Sequence, residues 1–243
     1  MNTETALLPS RVLFFDGSIG IVSKKIGEIC ETEVKDKTLS LIANCKPDLQ
    51  TLQSTPISWL QAVHRIDQPV SGCVLLALDK KTHASLSLQF SQGRIRKKYL
   101  AIVEMRTGET ISASGRLEHY LRFDTKHHKA SALFRDEIQN FGPDWKKAVL
   151  DWKLLGSGER YHFLEVEPLT GRTHQIRAQL ARAGMSIKGD LKYGARRSDP
   201  LGGIRLHAWK IQFTHPETGD VCTVACPIDN PDALWRSCLE YVK

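Results

Sequence analysis

The sequence lacks the features of membrane and secreted proteins. Hydrophobic residues make up 41% of its 243 residues, enough for a core, but they never form the uninterrupted run of ~18 that a membrane-spanning helix needs. The first residues, MNTETALLPSR, have neither the basic start nor the apolar stretch of a secretory leader. We therefore expect a globular cytoplasmic protein with no membrane partner.

Cysteine is too scarce and too scattered for a disulfide framework. The chain has six cysteines, and a protein of this length can bury enough apolar surface to fold without disulfides. The one close pair, Cys222 and Cys226, lies in the alternating segment VCTVAC, and no second Cys or His pair completes a zinc site. Reduced thiols and the absence of a metal site are therefore expected.

Internal repeats, low-complexity tracts and long Gly/Ser/Pro linkers are also missing. The economical interpretation is a single domain over residues 1–243, with residues 1–55 forming N-terminal strands that pack on it. In that segment we predict two short strands, 12–15 and 20–23, on either side of an Asp16-Gly17 turn.

Acidic residues are fewer than basic ones. Thirty-four Lys and Arg against 27 Asp and Glu give a net charge of +7. A basic chain favours a polyanionic partner, because each cation that contacts a phosphate releases condensed counterions. Basic residues concentrate at 94–98, 126–129 and 196–197. Taken singly, such a cluster is more often an ordinary solvated face, and the first is the best candidate for phosphate contacts.

Hydrophobic periodicity indicates several strands and few helices. Short apolar runs predict strands at 73–79 and 98–104. Alternation predicts two more, in HFLEVE, where Leu164 and Val166 share one face, and in HAWKIQF. KTHASLSLQFSQG is a predicted helix that ends at Gly93.

A second helix is predicted in THQIRAQLARAG. Ile176 and Leu180 recur there at helical spacing. Thr173 is the candidate N-cap, and Gly184 follows the last turn. Strands and helices that do not alternate regularly predict an α+β fold with a mostly antiparallel sheet. Residues 105–147 are polar and basic, and no element is predicted in them.

The segment HRIDQPVSG contains the most informative acidic residue. Asp67 lies between the basic dipeptide His64-Arg65 and a Pro-Val-Ser-Gly turn, directly before an apolar strand. A rigid strand can position such a carboxylate while the loop exposes it to a substrate. Taken alone, the segment is better explained by a turn aspartate that caps local backbone amides.

Two enzyme classes with related signatures are disfavoured. HRID is similar to the catalytic loop of protein kinases, but that loop needs an Asn five residues after its Asp, and position 72 is Gly. The sequence also has neither a DFG motif nor a Gly-rich phosphate loop, and GSGER at 156–160 does not replace one. Because no G-x-S-x-G elbow is present, an α/β-hydrolase is disfavoured too.

Four segments in a fixed order resemble the RluA-type family of pseudouridine synthases, which act on ribosomal and transfer RNA. They are HRIDQPVSG, KKYLAIVE, GRTHQIRAQLARAGMSIKGDLKYGA and IRLHAWKIQFTHPETG. The resemblance implies the α+β pseudouridine synthase fold, a mostly antiparallel mixed sheet with flanking helices and a central cleft that has Asp67 on a loop at its floor. We expect no S4-type RNA-binding module before the catalytic part.

The resemblance also implies roles for individual residues. Asp67 matches the essential catalytic carboxylate, Tyr99 the tyrosine that stacks on the flipped base, and Arg177 the arginine that pairs with the carboxylate. It implies an RNA partner, no metal, no nucleotide or other cofactor, and we expect a monomer. A catalytically silent RNA-binding protein of the same fold is the alternative. Further residues are expected to contact the RNA, namely His64, Arg65, Arg96, Lys97, Lys98, Arg172 and His174.

Two departures from the family pattern concern loops. This chain has Ile66 and Val70 where the family usually has Leu and Thr, and Lys24-Lys25 where it usually has Lys-Pro. Since none of these positions carries a proposed catalytic group, we expect the departures to affect loop shape and substrate fit more than activity.

Overall fold

The computed structural model describes residues 8–30, 40–104 and 111–242. The chain divides into two compact units. Unit 1 comprises Met1–Ile95 and Lys210–Pro227, and unit 2 comprises Arg96–Trp209 and Ile228–Lys243. The prediction of one domain over residues 1–243 stays a prediction. Among the described residues, no helix has both the length and the apolar character needed to cross a membrane.

Unit 1 is a small antiparallel sheet with two helices. Strand β2 pairs with β1 and β4, and the short β3 also pairs with β4. Strand β11 crosses the boundary between the units, and from Lys210 onward it pairs with β12. The elements are β1 (Val12–Phe15), β2 (Ile19–Lys24), α1 (Leu41–Gln50), β3 (Gln61–Ala62), β4 (Ser71–Ala77), α2 (Lys80–Ser91), β11 (Leu206–Thr214) and β12 (Val221–Ala225).

The core of unit 1 is built around β2, in which every residue is buried. A side chain at Gly20 would lie 3.2 Å from Leu49 Cδ2, so the absence of a Cβ lets α1 pack closely on the strand. Helix α2 begins at a cap in which the Asp79 carboxylate accepts from Thr82 N at 2.9 Å. These contacts give β2 and β4 a rigid environment.

Unit 2 contains six antiparallel strands in the order β10-β5-β9-β8-β6-β7. A side chain at Gly156, next to a bulge in β8, would lie 2.5 Å from the Tyr241 ring, so glycine allows the C-terminal segment to pack there. The elements are β5 (Arg96–Glu104), β6 (Ser114–Asp124), β7 (Lys129–Leu133), β8 (Lys146–Ser157), β9 (Tyr161–Pro168), α3 (Gln175–Arg182), β10 (Ser186–Ile187) and α4 (Ala233–Leu239).

The predicted α+β class with mostly antiparallel pairing is confirmed, and so are the elements predicted from clear periodicity. Gly93 and Gly184 both have positive φ just past the ends of α2 and α3, as expected for terminating glycines. The prediction that Thr173 caps α3 is wrong. The N-cap is His174, which has a left-handed conformation with φ 55° and makes no side-chain cap bond. Gln175 instead ties the entry to α3, accepting from Arg172 N at 3.0 Å.

A buried ion network in unit 2 links Arg205 to Asp199 and to Asp232 at the start of α4. Arg205 is 3% exposed, and its Nε donates to Asp199 Oδ2 at 2.6 Å. Its two η nitrogens donate to Asp232, which also caps α4 by accepting from Trp235 N. Burial alone would raise the pKa of Asp199, but hydrogen bonds from Arg205, Leu201 N and Lys188 hold that pKa below its ordinary value.

Loss of this arginine should therefore destabilise the fold. Arg205→Met leaves Asp199 buried without its main partner, and we expect unfolding to become easier by about 3 kcal/mol or more. Arg116→Met is the matched control, because Arg116 makes an equally bidentate bond to Asp151 on the exposed surface. Urea unfolding measures both. Equal losses in the two variants would contradict the assignment of a buried network.

Candidate functional site

Asp67 lies in the segment between β3 and β4, and buried neighbours anchor it. Ile66 and Val70 are 7% and 2% exposed, whereas the Asp67 residue itself is half-buried. Val70 N donates to Asp67 O at 2.9 Å, which closes a turn directly after the carboxylate. Ile66 and Val70, which depart from the family pattern, are thus apolar anchors that fix the loop on either side of Asp67.

Lys24 hydrogen-bonds to the same loop from its buried side. The residue is fully buried, at 0% exposure, and its ammonium donates to the carbonyls of Lys25, Gln68 and Val70 at 2.9, 3.1 and 2.7 Å. An ammonium group has three N–H donors, so these bonds use all of them. Two of the three acceptors flank Asp67 within three residues. Sequence analysis assigned Lys24 no role.

The segment after β2 also binds the Asp67 loop through its backbone. Gly27 N donates to Gln68 O at 2.9 Å, and the Gln68 side-chain amide donates back to Gly27 O at 3.1 Å. Gly27 has φ +91°, a conformation that other residues rarely adopt. The Asp67 backbone is therefore held by charge-assisted and backbone bonds within unit 1.

His64 and Arg65 have different surroundings. His64 Nε2 accepts from Leu75 N at 3.1 Å, and its ring lies 5.0 Å from Phe90, so this side chain braces the loop against β4 and α2. Arg65 is exposed. Of the basic dipeptide before Asp67, Arg65 is thus the residue whose side chain reaches the surface.

In unit 2, helix α3 carries Arg177 in a buried ion pair. Arg177 is 5% exposed and Asp190 is 2% exposed. Arg177 Nε and Nη2 donate to the two Asp190 oxygens at 2.7 and 2.9 Å. The guanidinium carries five N–H donors, of which this bond uses two. Sequence analysis did not assign Asp190; the GD-x-x-YG pattern that contains it was the available signal.

Tyr193 completes the surroundings of Arg177. The Arg177 guanidinium carbon lies 4.9 Å from the centre of the Tyr193 ring. The Tyr193 hydroxyl accepts from Ala130 N at 2.7 Å and lies 2.9 Å from His174 Nδ1. His174 thus orients Tyr193, and Tyr193 lies against Arg177.

The basic side chains at the start of strand β5 lie on both faces of that strand. Arg96 and Lys98 form ion pairs with Glu167 and Glu165 of β9, both at 2.7 Å. Lys97 points to the opposite face, because side chains alternate along a strand, and it shares that face with Tyr99. Burial lowers the pKa of the Lys97 ammonium. Lys97 is therefore the member of this cluster on the same face as Tyr99.

Tyr99 and Arg172 differ in exposure. Tyr99 is 7% exposed and pairs in register with Val166 of β9. Arg172 is exposed, and its Nε donates to Lys147 O at 3.1 Å, which fixes the side chain along β8. Among the predicted residues, unit 1 holds His64, Arg65 and Asp67, and unit 2 holds Tyr99, Arg172, His174, Arg177 and residues 96–98. The pairing of Asp67 with Arg177 stays a prediction.

The cysteines have the character of core residues. All six lie in the described part of the chain, and no disulfide joins them there. Burial raises the pKa of the Cys45 and Cys238 thiols to about 12 and also raises that of Cys73. Across residues 8–30, 40–104 and 111–242, no group of three or more His, Cys, Asp or Glu side chains could hold a metal ion.

Comparison with known proteins identifies the family. A family model described as RNA pseudouridylate synthase matches residues 19–182. An uncharacterized RNA pseudouridine synthase of Zymomonas mobilis is 32% identical over 212 residues, which cover 87% of this chain and 90% of that protein. The tRNA pseudouridine synthase C of Haemophilus ducreyi is 29% identical over 229 residues, which cover 90% of each.

Comparison with solved structures concerns the fold. The solved structure titled human RNA pseudouridylate synthase domain containing 4 superposes with a TM-score of 0.72 at 20% identity, over 97% of this chain and 94% of that one. At this identity the likeness concerns the fold. Because the family model covers more than half of the sequence, the chain belongs to the RNA pseudouridylate synthases, in their RluA-type branch, and is an isomerase that acts on RNA.

Proposed function

We propose that this chain converts a specific uridine of ribosomal or transfer RNA into pseudouridine, with Asp67 as the essential carboxylate. The observation that carries the proposal is the construction of the Asp67 loop, in which buried groups fix the backbone and leave the carboxylate half-buried. A side chain that only capped a turn would need no buried ammonium beneath its loop.

The reaction itself explains why so few groups are needed. Isomerisation breaks the N-glycosidic bond, turns the uracil within the site and joins its C5 to C1′ of the ribose. The C5 proton is released and N1 takes up a proton, so the composition does not change. No electron is gained or lost, and no group is added, so the proposed reaction uses no metal, nucleotide or other cofactor. A positioned carboxylate can serve as nucleophile or as base in such a reaction.

Arg177 and Tyr99 have supporting roles in this proposal. A guanidinium beside a partly buried carboxylate favours its ionised form, and we assign that role to Arg177. Its bond to Asp190 holds the guanidinium in a fixed plane. Tyr99 offers a ring for the extruded uracil, and stacking of this kind is worth about 1–3 kcal/mol per base. That amount offsets much of the few kcal/mol that extrusion of a nucleotide costs.

The proposed RNA contacts are ranked by exposure and by strand face. Arg65 and Arg172 are exposed, and Lys97 shares the face of Tyr99, so we assign them the larger contributions. His64 and His174 are half-buried, and residues 96 and 98 lie on the opposite face of β5 from Tyr99, so we assign them smaller ones. Ribosomal and transfer RNA are cytoplasmic substrates, so we propose that the enzyme acts there, as a monomer.

Asp67→Asn tests the assigned carboxylate. The substitution keeps the size of the side chain but removes its charge, so we expect the turnover rate to fall by about 10³-fold or more. Tritium release from RNA labelled at uridine C5 measures the rate. Asp220→Asn, an exposed aspartate of unit 1, is the matched control and should keep full activity.

The same experiment separates an enzyme from a silent RNA-binding protein. RNA affinity, measured by filter binding, should change little in Asp67→Asn because the substitution leaves every proposed phosphate contact in place. Turnover by Asp67→Asn at the wild-type rate would refute the assigned carboxylate. RNA binding without turnover by the wild-type protein would favour the silent alternative.

Lys24→Met tests the support beneath the loop. The substitution keeps the length of the side chain but leaves three buried carbonyls without their ammonium donor, so we expect a loss of at least about 3 kcal/mol in the free energy of unfolding. In the fraction that remains folded, kcat should fall more than RNA affinity, because the loop carries Asp67. Lys25→Met, at the exposed neighbouring position, should change neither quantity. A folded Lys24→Met protein with the wild-type kcat would show that Lys24 does not position Asp67.

A further inference from the structure

Unit 2 has a pocket outside the proposed catalytic group. Its volume is about 420 Å³, within the range of small-ligand sites. It lies among the last residues of β6, the start of β8 and the loop 171–173 before α3. Most of these residues belong to the stretch 105–147, in which no element was predicted.

The net positive charge of this pocket favours an anionic ligand. Arg122, Lys146 and Arg172 line it, opposed by the single carboxylate of Asp144. Among the described residues, neither Arg122 nor Lys146 forms an ion pair within 4 Å, and Asp144 forms none either. Two positive charges therefore remain in excess, and internal carboxylates do not neutralise them. A phosphate group would supply the missing counter-charge.

Two of the three cations of the pocket, Arg122 and Arg172, are held in place. The Arg122 guanidinium lies 4.9 Å from the centre of the Trp145 ring, which is itself buried. Arg172 Nε is fixed by Lys147 O, and Arg172 N by the Gln175 side chain. The pocket is also bordered by Gly171, where an added Cβ would lie 3.9 Å from Lys97 Nζ. Fixed cations lose less side-chain entropy when they bind a phosphate than mobile surface cations do.

The pocket is next to the residues that surround Arg177. Phe123 and Thr173 line it, and the Phe123 ring lies edge-on to the His174 ring at 5.3 Å. His174 in turn contacts the Tyr193 hydroxyl, and the Tyr193 ring lies against Arg177. Three side-chain contacts thus link the pocket to the arginine assigned to the Asp67 carboxylate. This spacing fits a group on the same RNA strand as the target uridine.

We propose that this pocket binds the phosphate and sugar of a nucleotide that flanks the target uridine in a single-stranded part of the substrate RNA. This inference rests on the proposed function, because it takes RNA as the substrate. Arg122 and Lys146 contact the phosphate, and the partly exposed Phe123 ring lies against the sugar or base. Recognition through the backbone is independent of base identity, as in other single-strand sites with cations and aromatic rings.

The experiment measures binding of labelled single-stranded oligouridylate to the full chain as a function of salt. The double variant Arg122→Gln with Lys146→Gln should bind about 10-fold more weakly at low salt, and its slope of log affinity against log salt should be shallower by about 1 to 1.5. Asp144→Asn removes the opposing carboxylate and should bind more tightly than the wild type. Lys153→Gln, at an exposed position of β8 outside the pocket and outside the basic clusters, is the matched control.

Each outcome decides for or against the pocket. Lys146→Gln alone should also weaken oligouridylate binding, but by a smaller factor. This single variant still tests the pocket if loss of the Arg122–Trp145 contact disturbs folding of the double variant. In turnover assays the loss should appear in KM more than in kcat. Unchanged affinity and salt slope in the double variant would overturn the inference, as would binding of inorganic phosphate without affinity for oligouridylate. A wild-type protein that binds oligouridylate but isomerises no RNA would contradict the proposed function and leave the pocket supported.

Discussion

The candidate site depends on one buried charge, the Lys24 ammonium at the end of β2. A charge is costly to bury unless it is fully hydrogen-bonded, and Lys24 meets this condition by binding three carbonyls, two of them in the Asp67 loop. The loop cannot shift without breaking these bonds. The loop with the proposed catalytic carboxylate is thereby attached to β2, a strand that is buried along its whole length.

Unit 2 also has a buried cation at its candidate site, but there a carboxylate rather than backbone carbonyls accepts its hydrogen bonds. There the buried cation is Arg177, and Asp190 compensates its charge while Tyr193 and His174 fix its surroundings. In each unit a polar group is thus oriented before any substrate binds. Such orientation in advance is what electrostatic catalysis requires, because groups that are already aligned need not reorganise during the reaction. The pocket beside His174 extends this arrangement from the nucleoside toward its strand.

Local periodicity was sufficient to predict many elements but not the groups that support the site. Strands such as β4 and β9 were predictable because their apolar patterns are regular. Strand β6 was missed because its buried face includes His119, whose imidazole and backbone neighbours are bonded by Gln179 of α3. Lys24 and Asp190 were missed for a related reason: their partners are distant in sequence, and a charged residue is by default expected at the surface.

The most direct test of the central claim is a map of pseudouridines in the ribosomal and transfer RNA of a strain that lacks this gene. Genes for the wild-type chain and for Asp67→Asn would then be returned separately to that strain. The account predicts that modification missing from the deletion strain returns with the wild-type gene and stays missing with Asp67→Asn. Restoration by Asp67→Asn would contradict it.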